Sequence, residues 1–292
     1  MAQKIALHDA DQTRFPNLAL MKLSAYHKAR GHEVEWWNPM VSYDEVFSSK
    51  VFTFTDEDAY LPGSARRGGT GYGSPEVLLD EVEHIMPDYS LYPDLGHSVG
   101  FLTRGCSRKC TWCVVPEKEG GIRAHADIDE FLAHKEVVMM DNNVLAHPHG
   151  LQQIEKLGGM RVKVDFNQGL DYRMIDDAVA RLLGRLKWRD FIRLACDDSS
   201  HIDGFRRAVE RLRWHNVNPA RIFVYMLVKD VEEAVERVRF LKGLYLHPFA
   251  QPYRGPDGVV ASQEARDFAR FVNHKATFKK TTWEEYKARK NA

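Results

Sequence analysis

Three of the four cysteines stand within eight residues, in Thr103-Arg-Gly-Cys106-Ser-Arg-Lys-Cys110-Thr-Trp-Cys113. The spacing is C-x3-C-x2-C, with an aromatic residue directly before the last thiol. Three thiolates on one tight loop suit three corners of a cubane iron–sulfur cluster, leaving its fourth iron open to a small molecule. A structural zinc ion is the alternative. Zinc takes four ligands, commonly two C-x2-C pairs or added histidines, and His97 and His125 are the candidates for a fourth. The remaining thiol, Cys196, reads as a small buried hydrophobe. A disulfide scaffold would spread its cysteines along the chain, and these are clustered.

Such a loop needs a rigid frame. From residue 98 onward, strand-like runs recur at Val99–Thr103, Val137–Met140, Arg161–Phe166, Phe191–Ala195, Arg221–Leu227 and Tyr245–Phe249. Helix-like runs alternate with them, at Ile128–His134, Leu151–Leu157, Met174–Leu186, His201–Trp214 and Val231–Leu241. The alternation predicts parallel βα units, hence an α/β fold built as a doubly wound sheet or a curved partial barrel. Ligands of such folds sit at the C-terminal ends of the strands. The residues there are the cysteine loop, Asp141-Asn142-Asn143, Gln168 with Asp171 and Arg173, Asp197, Tyr225, and finally Gln251 and Arg254. The structural alternatives are an N-cap role for Asp141 and a plain ion pair between Asp171 and Arg173.

The front third opens as a β-α-β unit: strand Lys4–His8, a helix over 17–27 stopped by Gly31, and strand Val34–Trp37. Val51–Phe54 reads as a third strand. Gly68-Gly-Thr-Gly-Tyr-Gly73 is either a flexible connector or a loop that brings backbone amides close to a ligand. It is not a Walker A loop, because no Gly-Lys-Ser/Thr follows. Asp9, Asp11 and Arg14 after the first strand, and Tyr72 in the glycine loop, are candidate substrate contacts. The expected domains are residues 1–97, a main domain over 98–255, and a helical tail over 256–292 whose Phe268–Phe278 segment reads as an amphipathic helix.

Composition sets the limits. The 292 residues are 44% hydrophobic and 28% charged, ordinary for a soluble globular protein. No apolar run is long enough to span a membrane, and the apolar stretch at the N-terminus is too short for a signal peptide. The expected location is cytoplasmic. Lys+Arg and Asp+Glu balance at 41 each, but residues 1–97 carry 8 basic against 15 acidic side chains. An acidic front third argues against a protein that coats nucleic acid.

The cysteine motif at the end of the first of six βα units resembles the radical S-adenosylmethionine (radical SAM) superfamily, over roughly residues 98–255. The resemblance implies a partial (β/α)6 barrel of the radical SAM type in which Cys106, Cys110 and Cys113 hold a [4Fe–4S] cluster. It further implies that the open iron binds SAM, and that an electron from a donor such as flavodoxin or ferredoxin cleaves SAM to a 5′-deoxyadenosyl radical. By the same resemblance Asp141, Asn142 and Asn143 stand where the superfamily has a Gly-Gly-Glu-like segment for the SAM amino group. This chain departs from that segment and looks like the Asp-Asp-Asn variant of cobalamin-type relatives. Arg173 would take the SAM carboxylate or a substrate anion, Asp197 the ribose hydroxyls, and Trp112 and Tyr225 the adenine. Gln168 would reach the ribose or the substrate. The front third resembles the small Rossmann-like cobalamin domain of relatives, but lacks their Asp-x-His-x-x-Gly loop, so no cobalamin is expected. The expected reaction is hydrogen abstraction from a small molecule, with a modified nucleoside or nucleotide suggested by a layout similar to queuine lyases. The lyase and transferase classes both stay open, and no catalytic residue is assigned. The alternatives are an enzyme modifying tRNA or another macromolecule, and a non-catalytic zinc-stabilised α/β binding protein.

Overall fold

The computed structural model describes residues 2–74, 76–254 and 260–291. The chain divides into two compact units, residues 1–100 with 126–134, and residues 101–125 with 135–292. The boundary expected at 255–256 lies outside the described residues. No helix among the described residues is long and apolar enough to cross a membrane.

The first unit holds a parallel sheet in the order β2-β1-β3-β4, made of Lys4–Asp9 (β1), Glu33–Trp36 (β2), Glu45–Ser49 (β3) and Arg66–Gly68 (β4). The run Ile5-Ala6-Leu7 is fully buried, as a central parallel strand covered on both faces requires. Ile5 and Leu7 pack on Leu20 of the helix Leu18–Ala29 (α1), and Ala6 packs on Val46, Leu61 and Ala65. Asn17 caps α1 by accepting from Leu20 N, and Gly31, at φ +79°, follows its end. A short helix, Asp80–Glu83 (α2), and the strand Ser98–Gly100 (β5) complete the elements used here.

One expectation for this unit is corrected. Val51–Phe54 is a loop, and the third strand is Glu45–Ser49. Asp11 explains why: its carboxylate accepts from Val51 N at 2.6 Å, Phe52 N at 3.3 Å and Thr55 Oγ1 at 2.6 Å, which diverts the donors a strand would offer to a neighbour. In the glycine loop, Gly69 and Gly71 pack tightly on the segment around Lys50, while Gly68 and Gly73 have open space beside them. A Cβ on Gly69 would stand 2.4 Å from Lys50 O, and one on Gly71 would stand 2.4 Å from Lys50 Cγ. These glycines let the loop close on the chain's own backbone.

His8 and His27 are buried in this unit, with His8 Nδ1 2.8 Å from Ser48 Oγ. Burial lowers both imidazoles below the usual 6.5. The unfolded chain therefore binds protons that the folded unit refuses. Stability should be full above pH 6.5 and fall as the pH drops through the lowered folded values. Thermal melts from pH 7.5 to pH 5 check this, and His8→Gln should flatten the profile. An unchanged slope in that variant removes His8 from the account.

The second unit begins with an antiparallel pair, Thr103–Arg104 (β6) and Arg123–Ala124 (β7), with the short helix Val115–Glu119 (α3) between them. The expected strand Val99–Thr103 is thus split between β5 and β6, and the helix expected over Ile128–His134 is a single 3-10 turn, Ile128–Glu130. Beyond it strand and helix alternate, except that the two-residue β10 precedes β11 with no helix between: Glu136–Met139 (β8), Pro148–Gly158 (α4), Lys163–Phe166 (β9), Asp177–Gly184 (α5), Lys187–Trp188 (β10), Ile192–Ala195 (β11), Ile202–Trp214 (α6), Ile222–Val228 (β12), Val231–Gly243 (α7) and His247–Pro252 (β13). β8, β9 and β10 pair in parallel, as do β11, β12 and β13. A parallel bridge between Leu170 and Leu194 joins the two sets. In β12, Ile222, Val224, Met226 and Val228 are buried, while Phe223, Tyr225 and Leu227 form a half-buried second face. The tail forms Gln263–Asn273 (α8), Lys275–Lys280 (α9) and Trp283–Asn291 (α10). Asn273 bonds both the N–H and the carbonyl of Ala250, which seals the edge of β13.

Candidate metal and cofactor site

Cys106, Cys110 and Cys113 lie in the connection between β6 and β7. Its entry admits only glycine: Gly105 sits at φ +78°, and a Cβ there would stand 2.3 Å from Gly121 O. Glu119 fixes this entry by accepting from Gly105 N at 3.0 Å and pairing with Arg104 Nε at 3.1 Å. Cys106 N donates to Gly120 O, and Cys113 N donates to Cys110 O. Cys106 and Cys110 are half-buried and Cys113 is exposed. Burial pushes the Cys110 thiol up and Arg173 opposes the push, while Cys113 and Cys106 add to it. Among the described residues, no three His, Cys, Asp or Glu side chains converge on a single-ion site.

Beside the loop, Asn143 is 3% exposed, and its Nδ2 lies 3.5 Å from both Cys106 Sγ and Asp171 Oδ2. Its Oδ1 is buried with no hydrogen-bond partner. Asp171 takes Arg173 Nε on one oxygen at 2.7 Å and Arg108 Nε on the other at 2.8 Å. Burial works against its charge, but Arg173 and Arg108 hold the carboxyl below the usual range. Arg173 is therefore half of the ion pair, with its side chain still 36% exposed.

Asp141 is corrected. It neither caps a helix nor presents an open carboxylate: it is 2% exposed and occupied within its own unit. Oδ1 accepts from Thr103 N at 2.6 Å and Thr103 Oγ1 at 2.7 Å, and Leu102 N donates to both oxygens, 3.1 Å from Oδ1 and 3.2 Å from Oδ2. The carboxylate fastens the root of the cysteine loop to the end of β8. Asn142, its neighbour, is half-buried.

The other strand ends are placed as follows. Gln168 is exposed, one residue before a turn at Gly169 with φ +87°. Asp197 is half-buried, accepts from Leu227 N at 2.8 Å, and is raised by burial. Trp112 carries Lys229 Nζ 3.9 Å above its ring, and Lys229 also lies 5.2 Å from the ring of Tyr253. Tyr225 packs edge-on against Phe223 and Phe249. Gln251 and Arg254 are exposed. Cys196 is fully buried, and burial pushes its thiol up to about 12. His125 packs edge-on against Phe101.

The candidates of the first unit are held by separate partners. Tyr72 OH is 2.7 Å from Ser48 Oγ, which in turn meets His8. Asp9 accepts from Tyr92 OH at 3.1 Å, and burial raises its carboxyl. Asp11 is spent on the 51–55 loop, and Arg14 is exposed over the ring of Phe15. Sequence reasoning missed Lys229 and Ser48, which bear no motif, and Arg108, a spacer position inside the cysteine motif. It also missed Arg207 and Arg211, whose i, i+4 spacing on a helix just after a strand end was the available signal.

No family model matches the chain, and no curated protein matches it in sequence.

Proposed function

We propose that this chain is a radical SAM enzyme acting on a small molecule, with its second unit a partial (β/α)6 barrel. The observation that carries the reading is the C-x3-C-x2-C loop rooted at the head of parallel βα units, beside a buried and unpartnered Asn143 Oδ1. The residues fit the group. A cubane takes one thiolate per iron, and the connection between β6 and β7 carries three free thiols, with the unpartnered Asn143 Oδ1 beside them. Cys106, Cys110 and Cys113 would hold the [4Fe–4S] cluster. A reduced cluster with an open iron supplies the electron that cleaves SAM, and the donor is of the flavodoxin or ferredoxin kind.

The rest falls to the chain's own groups. Asn143 Oδ1 offers an acceptor to the SAM ammonium and, being neutral, does not compete for iron. Arg173 and Arg108, fixed on Asp171, keep positive charge beside the loop and attract a carboxylate. Asp197, anchored by Leu227 N, suits ribose hydroxyls. Trp112 and Tyr225 supply apolar ring faces. Cofactor chemistry of this kind asks the protein to bind, orient and exclude water.

Anaerobic reconstitution with iron and sulfide tests the reading. The protein should turn brown, hold roughly four irons per chain, and release 5′-deoxyadenosine from SAM under a strong reductant. Cys106→Ala, Cys110→Ala and Cys113→Ala should each lose the iron, and Cys196→Ala should keep it. A colourless protein that holds zinc, or a triple cysteine variant that keeps its iron, overturns it.

A further inference from the structure

On the second unit, Tyr172, Arg173, Ser200, His201, Gly204, Arg207 and Arg211 line a groove of about 360 Å³ together with Asp203. Its walls are the turn after β9 and the face of α6 that runs from its entry to Arg211 in the last turn. The lining carries three guanidiniums, an imidazole and two hydroxyls against one carboxylate. Arg207 makes no hydrogen bond or ion pair with a described residue, whereas Arg211 Nη1 donates to Ile175 O at 2.9 Å and Arg173 is held by Asp171. The floor is bare: a Cβ on Gly204 would meet only Tyr172 Cε2 at 3.5 Å and Arg207 Nη2 at 4.0 Å. The chain enters α6 through the 3-10 turn Ser199–His201, which Asp198 caps by accepting from Ser200 N.

We propose that this groove binds the phosphate group of a phosphorylated small-molecule substrate, an inference that rests on the radical SAM reading for the word substrate and on the groove for the word phosphate. A phosphate monoester presents three strong acceptor oxygens and about two negative charges. That matches forked donors from several guanidiniums better than the two oxygens of a carboxylate do. The groove also stands at a useful place. Arg173 shares Asp171 with Arg108 of the cysteine loop, and Asp171 lies 3.5 Å from Asn143 Nδ2. A ligand anchored here by phosphate is one ion pair away from the proposed reaction centre.

Inorganic phosphate and inorganic pyrophosphate, titrated into the full chain at constant ionic strength and followed by calorimetry, test the proposal. Saturable one-site binding is expected. Arg207→Gln should weaken it roughly tenfold or more, and Arg207→Gln with Arg211→Gln should abolish it. Iron content and SAM affinity, measured on the same samples, should not change. Absence of saturable binding, or equal affinity in the double variant, overturns the groove. Binding of a tRNA that phosphate cannot displace also overturns it, by assigning the arginines to a nucleic-acid backbone. If phosphate binding depends on Arg207 but reconstitution yields no iron, the radical SAM reading fails and the anion site stands.

Discussion

Asp141→Ala should loosen the cysteine loop and cost the second unit about 3 kcal/mol. The carboxylate is the acceptor for two buried backbone N–H groups, Leu102 and Thr103, and for the Thr103 hydroxyl. Each buried donor left without a partner costs roughly 1–3 kcal/mol, and the hydroxyl can turn elsewhere. The same change should lower iron uptake on reconstitution, because Gly105 and Cys106 follow directly from the unfastened strand. Asp141→Asn is the informative companion. Its amide oxygen can keep both Thr103 contacts and the Oδ1 half of the shared Leu102 bond, while its NH2 replaces the Oδ2 half with a donor that Leu102 N–H cannot use. Its stability and iron content should fall between the parent and the alanine variant. Urea denaturation and iron analysis, run side by side, check both. An alanine variant with parental stability and parental iron would show that Leu102 and Thr103 find other acceptors.

Asp141 also shows what could be read in the sequence and what could not. Its position at the end of a strand, next to the cysteine loop, followed from alternation and spacing. Its role did not, because the residues it holds are backbone groups 38 and 39 positions away. Sequence carries side-chain chemistry well and backbone hydrogen bonding poorly. The same blindness produced the false strand at Val51–Phe54. Two β-favouring aromatics outweighed a half-polar run, Glu45-Val-Phe-Ser-Ser49, that sits in register beside β1. Nothing in either segment announces that Asp11 will claim the Val51 and Phe52 amides. The main run of strands was legible for a plain reason. β12 and its neighbours alternate or cluster apolar residues between helices of amphipathic period, and local pattern and global topology agree there. The Asp171–Arg173 pair was legible as a pair, but its second arginine, Arg108, was not. That contact ties the cysteine loop to the turn after β9 across 63 positions.

Arg237 should give the other large effect. It lies in α7, is 0% exposed, and joins the ends of two strands: Nη1 donates to Cys196 O at 2.7 Å and Nη2 to Leu227 O at 2.9 Å. Nη2 also meets Glu233 Oε2 at 2.7 Å, and Glu233 in turn accepts from Ser199 N and Oγ. Burial opposes the charge on Glu233, yet Arg237 keeps its carboxyl below the usual range. Arg237→Ala removes three donors at once and leaves two carbonyls and a carboxylate without them. Leaving two buried carbonyls without their charged donor costs about 3 kcal/mol, and the Glu233 pair, with its carboxylate 34% exposed, adds less; the sum is enough to threaten folding of the unit. Arg237→Lys tests the geometry more finely. An ammonium is a single point of donation and cannot reach both carbonyls in the fixed fork of a guanidinium, so it should recover only part of the loss. The two carbonyls flank Asp197, whose carboxylate rests on Leu227 N. A lysine variant that folds should therefore also bind SAM more weakly at unchanged iron content, if Asp197 holds the ribose. Equal stability of the lysine variant and the parent would mean that one carbonyl contact suffices. Equal SAM affinity in a destabilised variant would free Asp197 from that role.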